Sequence, residues 1–196
     1  MRLKGELQHS KRLLDAIVEN IPAMVFLKRA SDLRFELFNR AGEQMLGYAR
    51  TDMLGKNDYD FFTGEQADFF TRKDREVLDS HNVVEMPEEP IRTADGQQKW
   101  LHTLKIGLYD EQGAPTHLLG ISLDITERKH MEDALRENDL KLVEAQRMAH
   151  VGHWQLDLES HALTWSDEAY RIFEVDPQQF CASYEAFLEC IHPEDR

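Results

Sequence analysis

Two hydrophobic rhythms alternate along the chain. From residue 2 to residue 21, Leu3, Leu7, Leu14, Ile17 and Ile21 recur at steps of four and three, with Ser10 in the remaining slot. The spacing predicts a helix and matches the a/d seam by which helices supercoil in pairs. A single amphipathic helix lying on its own domain gives the same pattern. Pro22 ends this run, because it has no N–H for the helical ladder. Two strands follow, "AMVFLKRA" and "LRFELFN", joined by a turn at Ser31-Asp32. Asn39 is placed to cap a short helix through Leu46, which Gly47 closes, and Thr51 to cap another turn up to Gly55. "NDYDFF" is a short acidic-aromatic turn, and residues 63–81 regain helical spacing through Phe69, Phe70 and Leu78. Three strands close the set, at 83–92, 98–109 and 116–123, separated by the turns "ADG" and "EQGAP". Two strands, several helices, then three sequential strands imply an α+β domain, an antiparallel sheet under helices on one face.

The joint at "GISLDITERK", residues 120–129, runs from strand to helix with no loop. With Asp124 as N-cap, Glu127 falls at N3 and completes a capping box, and Asp124 lies at the positive end of the helix dipole. Arg128, four residues on, can pair with the same carboxylate. Any strand-to-helix transition calls for a cap, so these residues have a structural role in any case.

The helical rhythm then returns. Met131, Leu135, Leu142, Ala145 and Ala149, with Asn138 in the polar slot, repeat the first seam at an offset of 128 residues. "LLDA" at 13–16 answers "LVEA" at 142–145, and "NRAGEQML" at 39–46 answers "SDEAYRIF" at 166–173, so an internal repeat is the economical explanation. The implied organisation is an N-terminal helix at 1–21, a domain at 22–125, a linker helix at 126–149, and the truncated start of a second copy at 150–196. Half a sheet buries its apolar face poorly, so this tail is expected to be loose or to borrow a partner. Arg196 reads as a boundary within a longer chain.

Composition narrows the function. Of 196 residues, 41% are hydrophobic and 31% charged, enough for a packed core, and the net charge of −14 argues against nucleic acid as a partner. No apolar run approaches the span of a bilayer and the first residues lack a signal-peptide core, so a cytoplasmic segment without direct membrane contact is expected. Cys181 and Cys190 are too few for a disulfide framework or a zinc site and read as reduced thiols.

These segments resemble the PAS sensor family, in full over about residues 13–130 and in part over 140–196. "VENIPAMVFLKRASDLRFELFNRAGEQMLGY" resembles its opening strands and first helix, "LGKNDYDFF" the segment before its long helix, and "GISLDITERK" its closing strand with the PAC-type exit signal. "AQRMAHVGHWQLDLESHALTWSDEAYRIFEVDP" with "IHPEDR" resembles the start of a second such domain. The resemblance implies a five-stranded antiparallel sheet, helices over one face and a small-ligand cavity between them. It also implies dimerisation through flanking helices and a place upstream of a bacterial histidine kinase or diguanylate cyclase. Asp124, Ile125, Thr126, Glu127 and Arg128 would then transmit the signal, and Leu3, Leu7, Leu14, Ile17, Ile21, Met131, Leu135 and Leu142 would form the homodimer seam.

The ligand itself is not named by the sequence. Candidate cavity residues are Phe26, Phe38, Trp100, His102 and Leu104, although aromatics at strand spacing serve equally as plain core. Flavin-thiol photochemistry would need a cysteine in the long helix, and 63–81 has none; haem would need a histidine there, and only His81 stands at its end. His150 and His153 lack the context of a phosphoacceptor or a third metal ligand. The adjacent Glu88 and Glu89 read as a solvated strand edge. With no phosphate loop and no nucleophile-base grouping, an enzyme is not expected. The alternative to a sensory input module is a ligand-free dimerisation module.

Overall fold

The computed structural model describes residues 2–160, 162–180, 182–192 and 194, without the side chains of residues 2–4 and 184. Cys181 and the side chain of Leu3 therefore lie outside the described residues. The chain divides into two compact units, Met1–His130 and Met131–Arg196.

In the first unit, helix α1 (Arg2–Asn20) leads into strands β1 (Met24–Arg29) and β2 (Phe35–Phe38). Helices α2 (Arg40–Leu46) and α3 (Arg50–Met53) follow, then one 3-10 turn (Asp58–Asp60) and the long helix α4 (Gly64–Ser80). Strands β3 (Val84–Arg92), β4 (Gln98–Tyr109) and β5 (Pro115–Asp124) complete a five-stranded antiparallel sheet in the order β2-β1-β5-β4-β3. The α+β class and the five-stranded architecture are those expected from the sequence.

Local chemistry explains the boundaries. Asn39, fully buried, accepts from the Gly42 N–H at 3.0 Å as the N-cap of α2, and Gly47, at φ 77°, terminates that helix in the left-handed region. The same Asn39 side chain accepts from Val25 N–H at 2.9 Å and donates to the carbonyls of Val18 and Ala23, both at 2.9 Å. One residue thus fastens the end of α1, the start of β1 and the start of α2. Glu19 of α1 adds an ion pair to Arg50 at 2.6 Å. The cap of α3 is Ala49 rather than the expected Thr51, so that turn starts earlier in the chain.

The core lies between the helices and the inner sheet face. Phe26, Phe35 and Phe38 meet edge to face with ring centroids 6.0 Å apart, and Phe62 meets Phe70 at 5.2 Å. Gly120 is paired with Phe26 in the β1–β5 register, where a Cβ would overlap the Phe26 ring, so glycine gives that ring its place on the sheet.

Helix α5 (Thr126–Ala149) begins in the first unit, and none of its 24 residues is buried. The rest of the second unit comprises a hairpin of β6 (Trp154–Leu156) and β7 (Leu163–Trp165), then α6 (Asp167–Ile172), capped by Ser166, and α7 (Tyr184–Glu189). Trp165 sits among the rings of Tyr170, Phe173, Phe180 and Phe187, beside an apolar cavity of about 220 Å3. Cys190 is a free, half-buried thiol.

Candidate functional site

Strand alternation decides what faces the core, and here it places charge there. Lys28 shares its face of β1 with Met24 and Phe26, and Lys105 shares its face of β4 with Leu101 and Thr103. Asp74 lies four residues after Phe70 on α4, on the stripe completed by Val77 and Leu78. All three polar side chains are nearly inaccessible, as are Asp58 and Glu89.

They form one network. Lys28 Nζ donates to Asp58 Oδ2 at 2.6 Å and to Asp74 Oδ2 at 2.7 Å, and Lys105 Nζ donates to Asp74 Oδ1 at 2.7 Å. Thr103 Oγ1 donates to Glu89 Oε2 at 2.7 Å and lies 2.9 Å from Ser122 Oγ. Glu89 Oε1 is buried without a hydrogen-bond partner; Lys105 Nζ stands 3.9 Å away. The rings of Phe35 and Phe26 face the Lys28 ammonium, the nearer centroid at 4.7 Å.

The electrostatics are lopsided. Burial raises the Asp58 carboxyl above the ordinary 3.8, and the neighbouring Asp74 charge adds to this despite the Lys28 contact. Burial pushes Asp74 the same way, but Lys28 and Lys105 together hold it below 3.8. Burial alone would lower Lys28; Asp74 and Asp58 outweigh it and carry the ammonium above 10.5. A lysine whose native pKa is raised stabilises the fold fully below 10.5, and that contribution fades as pH climbs through the native value. Denaturant unfolding is therefore expected to show falling stability above about pH 10.5 in the wild type and a weaker fall in a Lys28→Met variant.

Between this cluster and the phenylalanines lies a cavity of about 30 Å3, lined by Phe26, Phe38, Lys28, Asp58, Glu89 and Lys105 among others. That is room for a water, not for a ring system. The residues present do not fit a flavin or a haem: two salt-bridged lysines fill the space, and Gly64–Ser80 of α4 contains neither cysteine nor histidine.

The root of α5 is the second element of the site. Asp124, the last residue of β5, is followed by a single residue before the helix. That residue, Ile125, is buried, and its N–H donates to Trp100 O of β4 at 2.8 Å. Trp100 N–H in turn donates to Thr126 Oγ1 at 3.0 Å. Asp124 Oδ1 accepts from the N–H and the hydroxyl of Thr126 at 3.0 and 2.5 Å, and Lys99 Nζ reaches Asp124 Oδ2 at 2.8 Å. Partial burial opposes ionisation of Asp124, but Lys99 and Thr126 keep its carboxyl below 3.8. Lys129, in the first turn, is held by both oxygens of Glu88 at 3.0 Å and lies 5.6 Å over the Trp100 ring.

Several sequence expectations change here. The helix starts at Thr126, one residue later than a cap at Asp124 requires, so the carboxylate takes the Thr126 N–H and the expected reciprocal box with Glu127 does not form. Glu127 and Arg128 lie exposed on the first turn. Of the five cavity candidates, Phe26 and Phe38 line the cavity. Trp100, His102 and Leu104 occupy the opposite face of β4: Trp100 lies under Lys129, His102 Nε2 lies 2.7 Å from Glu85, and Leu104 is exposed. Glu89, expected in solvent beside Glu88, is buried. In the seam, Leu7, Leu14 and Ile17 on α1 and Met131, Leu135 and Leu142 on α5 are exposed, while Ile21 is half-buried beyond the end of α1.

Comparison with known proteins agrees with this architecture. Residues 18–130 match the family described as the PAS fold. The chain is 28% identical over 192 residues to the uncharacterized protein y4lL of Sinorhizobium fredii, covering 92% of this chain and 22% of that one. It is 30% identical over 134 residues to the methanogenesis regulatory histidine kinase FilI of Methanothrix harundinacea, covering 68% and 15%. It is also 30% identical over 128 residues to the aerobic respiration control sensor protein ArcB of Escherichia coli, covering 65% and 16%. The chain thus spans less than a quarter of the length of these relatives. Among solved structures, the PAS domain of a Colwellia psychrerythraea protein superposes with a TM-score of 0.53 at 16% identity, over 59% of this chain and 97% of that one. An RNA-binding light-oxygen-voltage receptor superposes with 0.56 at 20% identity, over 66% and 37%. A match across more than half of the chain, onto a sheet of matching architecture, places this protein in the PAS fold family.

Proposed function

We propose that the chain is a cytoplasmic sensory input module. It relays a conformational change from the core of its first unit, through the joint at Asp124–Thr126, to an output domain elsewhere in a longer parent protein. The double hydrogen bond between Trp100 and the root of α5 supports this reading: it ties helix to sheet at the Ile125 N–H and at the Thr126 hydroxyl. A displacement of β4 is then felt by the helix without an intervening loop, and a two-state shift in helix register or rotation follows. FilI and ArcB, named as a kinase and a sensor protein, support an output of the histidine kinase type; a probable diguanylate cyclase of Escherichia coli, 20% identical, leaves the cyclase type as the other choice. The strand pair and capped helix at 154–172 repeat the order of β1, β2 and α2, which supports reading residues 150–196 as the start of a second PAS domain.

The test is Asp124→Ala combined with Thr126→Ala in the parent protein. Output is expected to change while the far-UV spectrum and melting of the sensor segment persist. The individual bonds are worth only about 0.5–1.5 kcal/mol each, enough to bias a joint and too little to hold up the domain. Unchanged output in a folded variant contradicts the relay.

A second reading, a ligand-free dimerisation module, is favoured by a different observation. The outer sheet face exposes Leu104, Ile106 and Leu108 of β4 beside Ile121 and Leu123 of β5, and Leu7, Leu14 and Ile17 of the first helical seam and Met131, Leu135 and Leu142 of the second are exposed as well. Light scattering on this chain, followed by native mass spectrometry, separates the readings: a tight dimer that consistently retains no small molecule favours the second.

A further inference from the structure

The ladder between β3 and β4 breaks at one place. Met86 pairs with Thr103 and Glu89 with Leu101, so Pro87 and Glu88 together oppose the single residue His102. This is a β-bulge, and proline suits it because it has no N–H to give the ladder. The bulge reverses the strand's phase. Before it, Val84 and Met86 turn toward the core side while Glu85 is exposed; after it, Glu89 and Ile91 are buried while Pro90 and Arg92 are exposed. Without the extra residue Glu88 would face inward and Glu89 outward. The bulge therefore decides which of two consecutive carboxylates enters the ionic core, Glu89, and which faces the first turn of α5, Glu88.

Each carboxylate has a defined partner. Inward, Glu89 Oε2 accepts from Thr103 Oγ1 at 2.7 Å, while Oε1 is buried without a hydrogen bond beside a water-sized cavity. The charged groups of that cavity wall are Lys28 of β1, Asp58 of the 3-10 turn and Lys105 of β4; Asp74 of α4 bridges the two lysines behind them. With three carboxylates to two ammonium groups, the cluster is short of one positive charge or one donor, and Glu89 Oε1 is where the shortage is felt. Outward, Glu88 grips Lys129 through both oxygens at 3.0 Å, and Lys129 in turn covers the Trp100 ring.

We propose that the Pro87–Glu88 bulge is a lever joining the buried ionic cluster to the first turn of α5, so that a donor or a change of charge reaching Glu89 in the core shifts the hold of Glu88 on Lys129. This deepens the sensory reading and rests on it: it names the core group that is sensed and a second route to the helix, separate from the Trp100 bonds. The ligand class is correspondingly small, a single water-sized hydrogen-bond donor or a proton.

The test is a double-mutant cycle on this 196-residue chain, read by amide hydrogen exchange at residues 126–130. Glu89→Gln keeps the shape and removes the charge; Glu88→Gln weakens the grip. Each single variant is expected to lower protection in the first turn of α5 about fivefold, and the double variant by no more than either alone. Two results overturn the lever: a Glu89→Gln effect that adds in full to Glu88→Gln, or one that reaches β4 amides and leaves residues 126–130 unchanged. Should Glu89→Gln fail to fold, Thr103→Val removes the donor to Glu89 with little change of shape, and the same cycle applies. The two proposals fail separately. A non-additive cycle with unaltered output in the parent retains the lever and removes the sensor. An additive cycle with an output change in the Asp124/Thr126 variant does the reverse.

Discussion

Replacing Lys28 by methionine is expected to cost about 3–5 kcal/mol of stability, because removing one partner of a buried ion network strands the others. Lys28 is the only hydrogen-bonded cation on Asp58 among the described residues and one of two on Asp74, and both carboxylates are nearly inaccessible. Methionine matches the lysine stem in length and packs against Phe26 and Phe35, so the loss is electrostatic rather than volumetric. The matching change on the acid side is expected to be mild. Asp58→Asn removes the carboxylate that burial already drives toward its neutral form, and it leaves the cluster with two acids for two lysines. Urea titrations of the two variants check the asymmetry; equal losses would show that the cluster acts as packing and not as a charge balance.

Asn39→Ala is expected to be the second-largest loss, roughly 2–4 kcal/mol. It combines a lost helix cap with the desolvation penalty of a stranded Val25 N–H and weakened partners at Ala23 and Val18. The effect should not stop at stability. Asn39 is the side chain that ties Val18, near the end of α1, to β1 and α2, so protection of α1 amides near residues 17–20 should drop more than that of β4 or β5. An even loss across the unit would mean that α1 is fixed by Glu19 and Arg50 instead.

What the sequence made legible follows a physical divide. Helix and strand limits came through at several places that a cap or a glycine marks: α5 spans residues 126–149 and β4 spans 98–109 as read from pattern, and Asn39 and Gly47 bound α2 as expected, whereas α3 starts at Arg50, ahead of the Thr51 cap. The phase of β4 did not. Along it the apolar parity is Trp100, Leu104, Ile106 and Leu108, and the rule that apolar faces point inward chooses that side. The protein does the opposite, turning Thr103 and Lys105 into the core with Leu101 and leaving Leu104, Ile106 and Leu108 exposed. The reason is the ionic cluster: its five charged members come from β1, β3, β4, α4 and the 3-10 turn, and no local window shows that they meet. One signal was present in the sequence. Lys28 has the parity of Met24 and Phe26, and Asp74 the helical spacing of Phe70 and Val77, so both sit on faces otherwise apolar. Glu89 was hidden differently, since a one-residue bulge reverses strand parity and leaves no mark beyond Pro87.

The inverted β4 also ties the two functional readings together. Polar groups inside make a core whose charge balance can be altered, and apolar groups outside make a face that water does not favour. Signal and association would then use opposite sides of one strand, with Trp100 at its start bonded to the helix that carries the result.

If the sheet holds the root of α5, the exchange rate of the Ile125 amide shows it. Held by Trp100 O and buried, this N–H should exchange as slowly as its neighbours in β4 and β5, orders of magnitude below the exposed middle of α5. An Ile125 amide that exchanges as fast as the residues around 135–142 would mean that helix and sheet move independently, and the relay would have no mechanical basis.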